Sequence, residues 1–96
     1  MLLLITYDVN TETATGRKRL RKVAKACQDY GQRVQNSVFE CIADAAQILK
    51  IKTKLIGLID PNTDSLRFYA LGNEYKSKVE HYGAKVSFDV TEPLIL

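Results

Sequence analysis

Residues 2–8 read Leu-Leu-Leu-Ile-Thr-Tyr-Asp, and this stretch decides the fold. It is a short apolar run bounded by polar residues, a pattern typical of a strand that is buried on both faces. Such a strand lies inside a sheet, with a neighbour on each side. The run ends at Asp8, just before the polar loop Val9-Asn10-Thr11-Glu12. The sequence therefore predicts a central first strand with a carboxylate at its exit.

The segment after this strand predicts a helix from about residue 14 to Tyr30. Thr11, Thr13 and Thr15 are candidate N-caps, and Gly31 is placed to end the helix. Apolar residues recur at helical spacing and form one stripe: Leu20, Val23, Ala24, Cys27 and Tyr30.

Basic residues are concentrated on this helix. Six of the fourteen Lys and Arg residues lie within nine positions: Arg17, Lys18, Arg19, Arg21, Lys22 and Lys25. No acidic residue lies between Glu12 and Asp29. A field concentrated in this way attracts polyanions such as nucleic acid. A solvated helix face is the alternative, and charge alone does not decide between the two.

The remaining elements follow from alternation and capping residues. Residues 33–42 alternate in polarity, which predicts one strand. Asp44 can cap a second helix of about fifteen residues, which Asp60-Pro61-Asn62 ends in a turn. A strand is predicted over residues 65–71, and a further one within 77–81 or 85–90. The predicted buried side of the second helix consists of Ala45, Ile48, Leu49, Ile51, Leu55, Ile56 and Ile59.

This order of elements favours one α+β domain over residues 1–96. We assign the chain to the ferredoxin-like βαββαβ arrangement, in which two helices pack on one face of an antiparallel sheet. The other sheet face would carry apolar side chains, and a second copy of the chain is the simplest cover for it. The apolar C-terminal residues 92–96 are predicted to extend as an edge strand onto that partner.

Cysteine usage and the opening segment bear on the compartment. Cys27 and Cys41 form no CxxC pair and have no neighbouring histidine, so buried, reduced thiols are predicted. The apolar opening lacks a basic segment before it and is too short to span a bilayer. We therefore expect a cytoplasmic protein that does not associate with membranes.

Asp8 is the candidate catalytic and metal-binding residue. In a two-fold pair whose sheets face each other, the two Asp8 carboxylates could approach across the axis, and a divalent cation would relieve their repulsion. Mg²⁺ prefers one or two carboxylates with several retained waters, and it can support phosphodiester hydrolysis. Mn²⁺ is an alternative cation. A structural aspartate that merely ends the strand is the competing interpretation, since one carboxylate per chain is few for a nuclease.

Two further side chains have more than one interpretation. Phe39 either packs in the core or stacks on a nucleic-acid base. His81, the one histidine, is interpreted as a surface or packing residue, with catalytic base as the alternative.

The whole chain resembles the CRISPR-associated Cas-two family, the small partners of the Cas-one integrase. The resemblance is carried by the strand ending Ile5-Thr6-Tyr7-Asp8, the basic helix, residues 30–40, the Asp64-Ser65-Leu66-Arg67-Phe68-Tyr69 strand and the apolar tail. It implies a ferredoxin-like homodimer in which an aspartate from each subunit, here Asp8, binds a divalent metal near the dyad.

The resemblance also implies an activity: a magnesium-dependent endonuclease that acts on double-stranded DNA or single-stranded RNA in spacer acquisition, an antiviral defence. By the same resemblance, the residues that handle nucleic acid are Tyr7, Arg17, Lys18, Arg19, Arg33 and Phe39. Lys18 is an alternative to Arg17, because the spacing after Asp8 varies in the family.

Two other functions stay open. The first is a non-catalytic DNA-binding dimer that acts as a scaffold for the Cas-one integrase. The second is a metabolic or regulatory dimer, since the ferredoxin-like fold hosts many functions.

Overall fold

The computed structural model describes residues 1–78, 80 and 82. Its elements are β1 (Leu2–Asp8), α1 (Ala14–Tyr30), β2 (Gln32–Gln35), β3 (Val38–Ile42), α2 (Ala45–Ile56), β4 (Ser65–Gly72) and a short 3₁₀ helix (Tyr75–Ser77). The four strands form one antiparallel sheet in the order β2-β3-β1-β4. The α+β fold with βαββαβ order is confirmed, and so is the internal position of β1.

The core lies between the sheet and the two helices. Leu3, Ile5 and Tyr7 alternate along β1 and point toward the helix layer, where all three are buried. Their partners on the helices are Val23, Ala26 and Cys27 of α1 and Ile48, Ile51 and Leu55 of α2. Alternate residues of β1 therefore point to the opposite face of the sheet.

That opposite face, here called the open face, carries half-buried apolar side chains. Strand register places Leu4 beside Tyr69 of β4, and Thr6 beside Val38 of β3. Leu4 and Val38 are partly exposed, and Tyr69 is 42% exposed. No described helix packs over these side chains, since the buried residues of α1 and α2 belong to the core on the helix side.

The prediction of one strand over residues 33–42 was wrong. β2 and β3 form an antiparallel hairpin in which Arg33 pairs with Phe39, and the chain reverses at Asn36-Ser37. Asn and Ser favour turns because their side chains bond to nearby backbone. Alternation cannot separate one long strand from a hairpin, since the alternating pattern continues through the turn.

The predicted starts of both helices and the predicted end of α1 are confirmed, whereas α2 ends at Ile56, before the Asp60-Pro61-Asn62 turn that was predicted to end it. The Thr13 hydroxyl accepts a hydrogen bond from the Gly16 amide at the start of α1, and Gly31 follows its last residue. At the start of α2, Asp44 and Gln47 satisfy each other's backbone amides, a reciprocal capping box.

The predicted buried side of α2 was partly wrong. α2 has twelve residues, and Leu49 and Ile56 are 67% and 58% exposed. Residues advance by about 100° around a helix, which places these two a quarter turn or more from the buried side formed by Ile48, Ile51 and Leu55. Ala45 is exposed as well.

Several predictions concern the end of the chain. Residues 77 and 78 belong to the 3₁₀ helix and the turn after it, not to a strand. Most of the predicted strand at 77–81 or 85–90, His81 and the tail 92–96 lie outside the described residues. Among the helices that the structure describes, none combines the length and the apolar character needed to cross a membrane.

Candidate active site around Asp8

Asp8 is the last residue of β1, and its side chain is exposed on the open face. It pairs in register with Ser65, the first residue of β4. Within the described part of the chain, no hydrogen bond or ion pair occupies its carboxylate. The strand thus fixes the backbone of Asp8 while its carboxylate stays available to a ligand. Functional groups are positioned more precisely on rigid elements such as strands than on loops.

The loop that follows Asp8 is anchored at three points. The Asn10 amide donates to Asp64 Oδ1 at 3.0 Å, and an Arg17 guanidinium nitrogen donates to the Thr11 carbonyl at 3.1 Å. The Thr13 hydroxyl caps α1. These contacts give the loop a defined path between β1 and α1, so the exit of β1 is held from both sides.

Asp64 lies at the centre of this arrangement. Its side chain is fully buried and forms an ion pair with Arg19, with 2.9 Å between Nε and Oδ2. It also accepts hydrogen bonds from the Asn10 and Asp60 amides, at 3.0 and 2.9 Å. The Arg19 guanidinium, followed by these backbone amides, holds the pKa of the Asp64 carboxyl well below its usual range. Asp64 therefore joins the loop after β1, helix α1 and the turn before β4.

This role of Asp64 was missed from the sequence. Asp64 matches no metal-ligand spacing, and its partners Asn10 and Arg19 are 54 and 45 positions away. The available local signal was an aspartate directly before a strand, at the end of the turn that starts at Asp60. That signal indicates a turn but not the residues that the carboxylate contacts.

A second group of predicted residues lies on the helix side of the sheet, away from Asp8. The Tyr7 and Phe39 rings stack with centroids 6.1 Å apart, and the Arg33 guanidinium lies 5.1 Å from the Phe39 centroid. Phe39 is fully buried and Tyr7 is 6% exposed. Burial, and then the neighbouring Cys27, raises the pKa of the Tyr7 hydroxyl.

This geometry limits what the aromatic residues can do. The buried Phe39 ring presents no face to a nucleic-acid base in this conformation, so the structure shows it in the packing role. Arg33 is the exposed member of the group and the one able to reach a solvent-borne phosphate.

The two cysteines are core residues, as predicted. Both are free and buried, and the Cys41 thiol lies 2.8 Å from the Tyr30 carbonyl. Burial raises the pKa of Cys27 to about 12. A thiol with so high a pKa is a poor nucleophile at neutral pH.

The predicted basic residues divide between three places. Arg17 contacts the loop after Asp8, and Arg19 is paired with the buried Asp64. Lys18 lines a groove between α1 and α2. Arg33 belongs to the aromatic group on the helix side. Contact with nucleic acid stays a prediction for each of these residues, and the ion pair leaves Arg19 with the least freedom to make it.

The donor set at Asp8 suits half of a magnesium site. The described residues contain no cluster of three or more His, Cys, Asp or Glu side chains that could hold a metal ion. One exposed carboxylate per chain matches the one or two carboxylates that Mg²⁺ takes while it keeps several waters. Two subunits that meet through their open faces would supply the second carboxylate.

Comparison with known proteins identifies the family. Residues 1–79 match the family described as CRISPR associated protein Cas2, the Cas-two family named above. The chain is 66% identical over 95 residues to a Halalkalibacterium halodurans protein named CRISPR-associated endonuclease Cas2, with 99% of both chains covered. It is 59% identical over 96 residues to a Chlorobaculum tepidum protein named CRISPR-associated endoribonuclease Cas2, with 100% of both covered.

A solved structure agrees with this assignment. Streptococcus pyogenes Cas2 superposes with a TM-score of 0.74 at 60% sequence identity, over 86% of this chain and 100% of that one. The match extends over β1, the basic helix and the strands that position Asp8. On these grounds the chain belongs to the CRISPR associated protein Cas2 family.

Proposed function

We propose that this protein is a CRISPR-associated endonuclease that hydrolyses phosphodiester bonds with the help of a divalent cation. One observation carries the proposal: Asp8 presents an exposed carboxylate from the end of a strand, on the open face of the sheet, over which no described helix packs. Two relatives that are 66% and 59% identical to this chain are named as an endonuclease and an endoribonuclease, respectively.

The site is completed by a homodimer. Half-buried apolar side chains on the open face, Leu4 and Val38 among them, favour a second sheet packed against the first. Asp8 lies at the end of β1 on this same face. A two-fold pairing then brings Asp8 of each subunit toward one axis.

Each chain contributes groups with separate tasks. When bound, Mg²⁺, or Mn²⁺ in its place, supplies charge neutralisation and an activated water for phosphodiester hydrolysis. The two Asp8 carboxylates would hold the cation. Arg17, held beside the loop after β1 by its bond to the Thr11 carbonyl, is placed to bind a substrate phosphate. Asp64 and Arg19 keep that loop in position.

The substrate class is double-stranded DNA, single-stranded RNA or both. The described surface near the exit of β1 offers the exposed Arg17 guanidinium, a group that contacts the phosphate backbone common to both polymers, while the Asp8 carboxylate would reach a phosphate only through a bound cation. Such contacts do not depend on base sequence, so cleavage with little sequence preference is expected.

The test compares cleavage of duplex DNA and single-stranded RNA by the purified dimer, with Mg²⁺ and with EDTA. Asp8→Ala and Asp8→Asn should each lower the cleavage rate by at least about 100-fold, because both remove a ligand charge. Glu74→Ala, which removes an exposed carboxylate elsewhere, is the matched control. Circular dichroism and light scattering should show that fold and dimer survive. Undiminished cleavage by Asp8→Ala would refute the proposed role.

A second function is favoured by the small number of carboxylates. Because the described residues gather no acidic cluster, the dimer is also suited to hold DNA as a non-catalytic scaffold for the Cas-one integrase. Under that function, spacer acquisition in cells that carry the integrase should proceed normally with Asp8→Ala. If spacer acquisition depends on cleavage by this protein, the nuclease function predicts that acquisition fails with Asp8→Ala.

A further inference from the structure

A basic groove of about 440 Å³ lies between α1 and α2, on the outer surface of the helix layer. Four cationic residues of α1 and one of α2 line it: Lys18, Arg21, Lys22, Lys25 and Lys54. Only Lys18 belongs to the residues that the family resemblance associates with nucleic acid. The other four lining cations have no role in the function proposed above.

The charges in the groove are poorly compensated. Asp29 is its acidic lining residue, and Lys25 already neutralises it through an ion pair with 2.8 Å between Nζ and Oδ1. That lysine lowers the pKa of the Asp29 carboxyl. Lys18, Arg21 and Lys22 form no hydrogen bond or ion pair with any described residue. The groove therefore holds several cations that have no counter-charge within the described chain.

The groove and Asp8 lie on opposite sides of the sheet. α1 packs its buried residues Val23 and Cys27 against the helix side of β1 and turns its basic residues outward. Asp8 points to the open face. A dimer formed through the open faces would leave one groove uncovered on each outer surface.

We propose that this groove binds the phosphodiester backbone of nucleic acid, at a site separate from Asp8 and independent of a divalent cation. The inference deepens the proposed function and rests on it for the identity of the polyanion. It adds a binding surface on the face of the molecule that carries no candidate catalytic group.

The spacing of the cations suits a regular polyanion. Lys18, Arg21 or Lys22, and Lys25 follow one another at intervals of three or four residues on α1. With a rise of about 1.5 Å per residue, this row is about 10 Å long. Phosphates on one strand of a duplex repeat at about 3.4 Å along the axis, so the row is long enough for about three of them.

An acidic protein segment would need different features. Protein interfaces derive most of their affinity from a few buried aromatic or large apolar anchors. The apolar lining residues of the groove are Ala26 and Leu58, and neither provides an aromatic pocket. The groove thus offers charge without such an anchor, which favours a nucleic-acid backbone.

The experiment measures binding of a fluorescein-labelled DNA duplex by anisotropy, in EDTA throughout. Arg21→Gln/Lys22→Gln should weaken the affinity by about tenfold or more and reduce the slope of log affinity against log salt by about 1.8. Lys50→Gln/Lys76→Gln removes the same charge from exposed positions outside the groove, and it should change the affinity by less than about twofold. Glu74→Ala, at an exposed carboxylate outside the groove, should bind like the wild type. Thermal unfolding checks that each variant is folded.

Two outcomes would overturn the inference. Equal weakening by the groove variant and its charge-matched control would show that net charge alone matters. Labelled poly-glutamate serves as a second probe in the same assay. If Arg21→Gln/Lys22→Gln binds the duplex like the wild type but loses binding to poly-glutamate, the groove is a surface for acidic protein segments. Because EDTA prevents metal-dependent cleavage, the binding result does not depend on whether the protein is a nuclease, and the two proposals can fail separately.

Discussion

Single residues hold the exit of β1 in place, and Asp64 is the most constrained of them. Its buried carboxylate accepts two backbone amides and the Arg19 guanidinium. Removal of the carboxylate would leave the Asn10 and Asp60 amides without an acceptor, at a cost of about 1–3 kcal/mol for each buried group. The candidate metal ligand Asp8 therefore depends on a residue that does not touch the metal.

The lowered pKa of Asp64 makes a prediction about pH. The unfolded chain takes up the proton near pH 4, before the folded chain does, so the stabilisation is present above that pH and is lost as the pH falls further. Urea unfolding followed by circular dichroism should show the wild type losing more stability than Asp64→Asn between about pH 5 and pH 3. Glu74→Gln, at an exposed position, is the control. Parallel pH profiles for wild type and Asp64→Asn would contradict this role.

Phe39 gives a second prediction at the scale of one side chain. Since its ring is fully buried and stacked on Tyr7, Phe39→Ala should cost about 3–5 kcal/mol of unfolding free energy. Phe39→Leu keeps most of the volume and should cost much less, while RNA affinity stays near that of the wild type. Chemical denaturation and anisotropy measure the two quantities. A Phe39→Leu variant with full stability and weakened RNA binding would instead support base stacking.

At the scale of elements, α1 and the loop after β1 are joined through Gly16. Gly16 is buried in the first turn of α1, and a Cβ at this position would overlap the carbonyl oxygen of Asn10. The close approach explains a glycine at a position where most residues would favour the helix more. Loop and helix thus meet backbone to backbone, beside the anchor that Asp64 provides.

The close approach predicts the effect of one methyl group. Gly16→Ala should destabilise the protein by about 2 kcal/mol or more, although alanine raises intrinsic helix propensity by about 1 kcal/mol. Thermal unfolding measures the change. Gly57→Ala, where a Cβ meets only ordinary van der Waals contacts, is the control and should be nearly neutral. A stabilised Gly16→Ala variant would show that the loop moves freely.

At the scale of the whole molecule, the two faces of the sheet have different tasks. The helix side forms the core, and the open face carries Leu4, Val38 and the exposed Asp8. Among the large apolar residues with high exposure, Tyr69 lies on the open face while Leu49 and Ile56 lie on α2. The open face alone combines apolar side chains with the candidate metal ligand.

Dimerisation through this face can be tested with two charge substitutions. Val38→Glu should produce a monomer that no longer cleaves, because a desolvated carboxylate opposes packing of the sheets and each site loses its second Asp8. Leu49→Glu, on the exposed side of α2, should remain a dimer with normal activity. Light scattering and cleavage assays measure both properties. A dimeric, active Val38→Glu variant would place the interface elsewhere.

Local chemistry alone predicted much of this protein. The ends of β1 and α1 and the start of α2 were predicted from the apolar run of β1, the Thr13 and Asp44 caps and Gly31, because these signals act between residues a few positions apart. Asp8 was a candidate metal ligand from its place at the strand end, and the resemblance favoured that role over a structural one; the match to the Cas2 family confirmed the assignment of the chain.

Tertiary structure decided the features that depend on distant parts of the chain. Alternation over residues 33–42 did not reveal the reversal at Asn36-Ser37, since pairing between strands selects a hairpin. The apolar residues Leu49 and Ile56 became exposed because the packing of α2 buries only one of its sides. Asp64 contacts Asn10 and Arg19, which lie 54 and 45 positions away in the sequence, and no local pattern predicts these contacts. The strand that ends at Asp8 is readable from sequence, but the network that holds its exit forms only when the chain folds.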